Sequence, residues 1–185
     1  MKDGAQRRPL QDLSREQLEE LIGLYAKNWL ALDGVWFQAA ERRYGMDAAM
    51  DLDEDAWRRY TEIEARRIKA FLGLAERPGL AGLERALRLR FYGQLNCDEV
   101  LREENALVYR VVDCRVQSAR TRKGMPLHPC KRVGLVEYAG FARAIDDRLT
   151  CDAWYCGHWH INKRIGRMHF LFHEFEVMQS HKTQP

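Results

Sequence analysis

The sequence predicts an α+β protein, with long N-terminal helices packed on a roughly four-stranded antiparallel sheet and one further helix. Three observations predict it. Helical apolar spacing fills the first half of the chain, alternating strand-like segments fill the second, and all five cysteines lie after residue 96. The 185 residues read as one domain over 1–185, a helical half at 13–93 and a cysteine-containing, β-rich half at 96–178.

The first helix opens at Ser14, where Ser14-Arg15-Glu16-Gln17 has the form of a capping box. Behind it Leu18, Leu21, Ile22, Tyr25, Trp29, Leu32, Trp36, Ala40 and Tyr44 recur at three- and four-residue steps. That period predicts one helix over 15–44, ended near Gly45, with the whole stripe in the core. Met46 to Leu52 reads as a short helical turn. A second long helix is expected from an Asp53 cap to Gly73, with Trp57, Tyr60, Ile63, Ile68 and Phe71 inward. After Pro78-Gly79, Leu80, Leu83, Leu87 and Phe91 define a third.

Asp98 to Arg102 and Leu107 to Cys114 read as a hairpin turning at Glu103-Glu104-Asn105. Val133 to Ile145 has helical spacing, closed by Asp146-Asp147. Trp154–Ile161 and Met168–Val177 read as a second hairpin, turning at Lys163-Arg164-Ile165-Gly166.

Hydrophobic residues make up 46% and charged residues 31% of the chain, a balance that excludes a disordered protein. Mean hydropathy is −0.52, and no apolar run approaches the ~20 residues of a membrane-spanning helix. Residues 1–9 lack the apolar core of a signal peptide, so a cytoplasmic protein is expected. An odd cysteine count argues against a disulfide framework. Net charge is +3, and its distribution matters more than its size. Between Arg110 and Arg132 seven basic residues face only Asp113, a stretch suited to holding a small anionic ligand. Aromatics are not interleaved with it, which disfavours nucleic acid. There is no Gly-rich phosphate loop, G-x-S-x-G elbow, H-E-x-x-H or zinc-finger spacing.

Candidate chemistry sits on the cysteines. Cys130 follows Pro129 at a helix start, where the helix dipole and Lys131 favour a thiolate and a nucleophile. A strand through 154–160 places Cys156 and His158 on one face, so His158 is the expected proton shuttle. Alternatively Cys114, Cys156 and His158 hold zinc or iron that activates water. Among the apolar stripes Asp33 and Glu64 are expected to line one cavity, with Arg66 or Arg67 able to pair a buried carboxylate and Arg67 or another protein donor satisfying at least one of the two. Asp33, Glu64, Arg67, Arg115, Glu137 and Tyr138 are the candidate ligand contacts.

Five strings carry a resemblance: Asn28-Trp29-Leu30-Ala31-Leu32-Asp33-Gly34, Glu64-Ala65-Arg66-Arg67-Ile68, Asp113-Cys114-Arg115-Val116-Gln117, Pro129-Cys130-Lys131 and Val136-Glu137-Tyr138. Over residues 13–161 they resemble an uncharacterised bacterial family of small cytosolic proteins. The C-terminal half also resembles the L-2-amino-thiazoline-4-carboxylate hydrolase-like family, whose cysteines Cys114, Cys130 and Cys156 match in order. That resemblance implies an α+β fold and, for its characterised relatives, opening of a cyclic amidine by water. The chain departs from the first family in carrying only Thr150-Cys151-Asp152-Ala153 where further cysteines and prolines are usual.

Three functions follow as expectations: a hydrolase-like enzyme using a cysteine or metal site, a small-ligand or metal-binding sensor, and a basic-faced interaction module.

Overall fold

The computed structural model describes the backbone of residues 9–155 and 166–172, and side chains from 10 to 151. The architecture is mixed α and β. Helix α1 spans Arg15–Tyr44, α2 Met46–Phe71, α3 Gly79–Arg88, α4 Arg115–Arg122 and α5 Lys131–Ile145. Strands β1 (Cys97–Arg102), β2 (Ala106–Asp113), β3 (Leu149–Tyr155) and β4 (Gly166–Phe172) pair antiparallel in the order β1-β2-β4-β3.

The capping box at Ser14 forms as its sequence requires. The Ser14 hydroxyl accepts from the Gln17 amide at 3.3 Å, and the Gln17 side chain accepts from the Ser14 amide at 2.9 Å. Gly45, at φ 85°, ends α1 in a backbone region that disfavours a side chain and starts α2 at once. No separate turn or Asp53 cap interrupts α2. Met46 to Leu52 is rich in good helix formers, and Asp47 in the first turn favours the helix N-terminus. Asp53 is therefore a mid-helix residue, free to serve the site described below. A 3-10 turn at Phe91–Gln94 takes Phe91 out of α3.

The long helices do not lie on the sheet as expected. Helix α5 packs against β3, α2 packs on α5, and α1 lies outermost on α2. The reason is where the apolar surface lies. Phe141, Ile145, Leu83 and Leu87 of α5 and α3 are fully buried with Leu107, Tyr109 and Leu149 of the strands, joined only by the C-terminal half of α2 through Ala65 and Ile68. The α2–α5 crossing is close. Thr61 Oγ1 donates to the Glu137 carbonyl at 2.8 Å, and a Cβ on Gly140 would meet Thr61 Cγ2 at 2.8 Å.

A second cluster is aromatic. Trp29 meets Trp57, Tyr60 and Phe91 at centroid distances of 5.8, 5.0 and 4.3 Å, and Tyr92 stacks on Trp57 at 5.8 Å. Much of the α1 stripe stays outside it. Ile22, Tyr25, Leu32, Trp36 and Tyr44 are exposed, as are Ile63 and Phe71 of α2. Periodicity marks which residues share a helix face, and α1 has more apolar surface than α2 covers.

Helix α4 lies in the basic stretch, where the residues themselves carry no helical period and only the resemblance implied a helical segment opened by Cys114. Its residues lack an apolar stripe, and its start is fixed by neighbours: Asn96 Oδ1 accepts from the Arg115 amide at 3.0 Å, and the Ser118 hydroxyl donates to Asp113 at 3.0 Å. Strand β3 begins at Leu149, ahead of the expected 154–161. Residues 156–161 lie outside the described residues, as do most of the expected turn at 163–166 and the end of the expected strand at 168–177. No helix among the described residues is long and apolar enough to cross a membrane.

Candidate functional site

Helix α4 and the loop before α5 are locked together by one side chain. The buried Gln117 amide donates to the His128 carbonyl at 2.8 Å and accepts from the His128 amide at 3.0 Å. Its Nε2 also lies 3.5 Å from Cys130 Sγ. This two-way clamp fixes His128-Pro129-Cys130, so Cys130 caps α5 as the sequence predicts. The segment forms one wall of a cavity of about 440 Å³ between α1, α2, α4 and α5.

His128 is buried beside the Phe37 ring, 4.6 Å between centroids, with Nε2 3.5 Å from Asp53 Oδ2. Its Nδ1 has no aligned hydrogen-bond partner among the described residues. Burial works against a charged imidazole. The hydrogen bond and charge of Asp53, with the Cys130 sulfur alongside, outweigh it and raise the pKa to about 9. At neutral pH His128 is an imidazolium next to a thiol.

The cavity is acidic on its inner side. Asp33, half-buried on α1, is raised to about 6 by burial and then by the like charge of Asp53, against the pull of His128. Glu137 is buried on α5 and raised to about 7, burial outweighing its pairing with Arg90. Tyr138 lines the same wall, and burial pushes its hydroxyl well above the usual range.

Arg90 is the hub behind this wall. Its Nη2 lies 2.8 Å from Glu64 Oε2 and 2.7 Å from Glu137 Oε1, and Nε donates to Glu64 at 2.9 Å. The rings of Tyr92, Tyr138 and Phe141 surround its guanidinium at 5.4, 5.0 and 4.7 Å. Two expectations are corrected here. Glu64 does not line the cavity with Asp33; it backs the wall through Arg90. Nor is it served by its helix neighbours, since Arg66 pairs with Glu62 and Arg67 is exposed away from the cavity. Arg66, two positions along α2, projects from a different face, and the carboxylate of Glu64 is taken by Arg90 instead.

The basic stretch divides in two. Arg120 is buried, bonded bidentately to Glu41 at 2.9 and 3.0 Å, while Arg132 pairs with Asp51 and Glu54 and Arg110 with Glu99. Arg115, Arg122 and Lys123 are exposed and line the cavity, joined by Lys27 from α1. The cavity thus has cationic side chains at its exposed edge and carboxylates within.

Cys114 caps α4 and lines the cavity with Cys130. Burial raises its thiol pKa, against the backbone amides of Gln117 and Val116 that bond to it. Cys156 and His158 lie outside the described residues, so the expected Cys130–His158 pair and the Cys114–Cys156–His158 zinc or iron site are not placed. Among the described residues no group of three His, Cys, Asp or Glu side chains is arranged to hold a metal.

Sequence reasoning missed His128, Asp53, Gln117 and Arg90. The signal for His128 was local: an imidazole two residues before Cys130 in His128-Pro129-Cys130.

The model of DUF6125, a family of unknown function, matches residues 11–165. A search of curated proteins returns no match to the chain.

Proposed function

The chain belongs to the DUF6125 family of unknown function, and we propose from its site that it is a hydrolase-like enzyme acting on a small anionic compound with a C=N bond. The observation that carries this reading is that Cys130, His128 and Arg115 line one cavity. His128 replaces His158 as the proposed partner of the nucleophile. An adjacent imidazolium favours the thiolate, as does the helix start at Cys130. Arg115, with Arg122 and Lys123 nearby, supplies planar donors for a substrate carboxylate.

In the proposed reaction Cys130 Sγ bonds to the carbon of C=N, and the π electron pair moves to nitrogen. His128 gives that nitrogen its proton, neutralising the developing charge. Collapse breaks the bond from carbon to that nitrogen, which leaves as an amine with a proton from the second amidine nitrogen. The electron pair of that second nitrogen forms the new C=N of a thioimidate on Cys130. Water, deprotonated by the now neutral His128, attacks that carbon and releases Cys130 as thiolate. Asp53 holds the imidazole and balances its charge throughout, the orienting role of the third group in such sites. The matching order of Cys114, Cys130 and Cys156 in thiazoline-carboxylate hydrolase-like proteins agrees with this substrate class.

The test is turnover of a panel of cyclic amidine carboxylates by the wild-type chain, Cys130→Ser and Arg115→Gln. Cys130→Ser is expected to abolish turnover, and Arg115→Gln to raise KM about tenfold or more while sparing kcat. Turnover that survives Cys130→Ser but is silenced by a chelator would replace the thiol mechanism with metal-activated water. Binding of these compounds without turnover would leave a small-ligand sensor.

A further inference from the structure

Two of the described cysteines share the cavity. Cys114 and Cys130 both line it, whereas Cys97 and Cys151 do not. Each stands at the start of a helix, Cys114 before α4 and Cys130 before α5, and each is half-buried. Gln117 joins them. Its side-chain Nε2 lies 3.5 Å from Cys130 Sγ, and its backbone amide faces the Cys114 sulfur. The two sulfurs lie within range of each other's charge. The fold thus brings two thiols that are distant in the chain to one wall.

The two thiols differ in character. Cys130 neighbours the His128 imidazolium, which favours its thiolate. Cys114 packs against the main core, and burial keeps it protonated. A reactive thiolate beside a second, less acidic thiol is the arrangement in which a sulfenic acid is captured as a disulfide. An oxidant can reach the pair from the exposed edge of the cavity, where Arg115 and Lys123 stand. A cavity of about 440 Å³ admits a molecule as small as hydrogen peroxide.

We propose that this wall is an oxidation site for hydrogen peroxide, in which Cys130 is oxidised and Cys114 captures it as a disulfide. The proposal rests on the Cys130–His128 pair of the proposed function but not on the hydrolysis itself. The Cys130 thiolate attacks one peroxide oxygen and the O–O bond breaks. The departing hydroxide takes a proton from His128 and leaves as water, so Cys130 is now a sulfenic acid. The Cys114 sulfur then attacks the Cys130 sulfur. The S–O bond breaks, and the hydroxide leaves with the Cys114 proton as a further water. Peroxide is reduced to water and the thiol pair is oxidised to the disulfide. That bond occupies the nucleophile until a thiol reductant restores it, and it spares Cys130 the irreversible sulfinic acid.

The full chain is treated with hydrogen peroxide at neutral pH and its remaining thiols are blocked with iodoacetamide. Peptides are then read by mass spectrometry before and after dithiothreitol. A linked Cys114–Cys130 peptide that dithiothreitol reverses is expected. His128→Asn is expected to slow its formation about tenfold. Cys114→Ser is expected to leave Cys130 as a sulfenic acid that dimedone traps and that further peroxide carries to the sulfinic acid. The wild-type result decides the link without any variant. Cys130 that is oxidised with no link to Cys114, or not oxidised at all, overturns the proposal. So does a link from Cys130 to Cys97, Cys151 or Cys156, and a link that forms as fast in His128→Asn overturns the part given to the imidazole. A chain that forms the link but turns over no cyclic amidine loses the hydrolase reading and keeps this one. A chain that turns over amidines and forms no link does the reverse.

Discussion

His128 Nε2 stands 3.5 Å from Asp53 Oδ2, tying the loop before α5 to the middle of α2. Both side chains are largely withdrawn from solvent, so the pair is screened far less than an exposed one. It charges the imidazole at neutral pH and holds it against the wall that carries Cys130. Chemistry and stability therefore share one group.

That sharing gives a pH dependence of fixed sign. His128 is raised from 6.5 to about 9, so its stabilising contribution is complete below pH 6.5 and is lost as pH rises through about 9. Asp33, raised from 3.8 to about 6, and Glu137, raised from 4.5 to about 7, also bind protons more tightly when folded. All three make unfolding easier as pH rises from about 4 to about 9. Urea denaturation is expected to give a higher midpoint at pH 5 than at pH 9. His128→Asn should flatten the alkaline part of that profile and Glu137→Gln the part below neutrality.

Arg90 is expected to be costly to remove. Arg90→Met leaves Glu64 and Glu137 buried without their counter-charge and is expected to lose roughly 3–5 kcal/mol of stability. Adding Glu64→Gln and Glu137→Gln should recover much of the loss, because no buried charge then remains. Thermal melts of the single and triple variants check both statements.

Asp146 closes the far end of the core. It accepts from the Gly79 amide at 2.8 Å and from Arg148 Nε and Nη2 at 3.0 and 2.8 Å. Burial opposes its charge, but the Arg148 side chain and the Gly79 and Arg148 amides hold its pKa at about 2. Its contribution is thus present above pH 3.8 and lost as pH falls toward 2, opposite in direction to His128. Asp146→Ala is expected to cost roughly 2 kcal/mol by denaturant unfolding at neutral pH, with the deficit shrinking at pH 2.

Gln117→Leu tests the clamp. It leaves the His128 amide and carbonyl unpaired in a buried place, so a loss of roughly 2 kcal/mol is expected. Hydrogen exchange should show the His128 amide opening faster, with the amides of β2 unchanged.

Local signals in the chain were legible, and relations between distant segments were not. The capping box at Ser14, the stop at Gly45 and the placement of Cys130 at a helix start each follow from a few adjacent residues. The stripe on α1 marks a real helix face, but periodicity does not say whether the cover is the chain itself. Glu64 shows the same limit. Its partner Arg90 lies 26 residues away, and charged helix neighbours drew attention instead. Asp53 resembles a cap because cap residues and mid-helix site residues share a chemistry. Helix α4 was hidden by its basic composition, since tertiary bonds from Asn96 and Asp113 fix its start rather than an apolar period.

The most direct test of the site is the rate at which each cysteine is alkylated by iodoacetamide at neutral pH, followed by peptide mass spectrometry in the wild type and in His128→Asn. If His128 charges the neighbourhood of Cys130, Cys130 reacts ahead of the exposed Cys97 and the half-buried Cys114, and His128→Asn removes that lead. A Cys130 that reacts more slowly than Cys97, or at the same rate with and without the imidazole, would contradict the account.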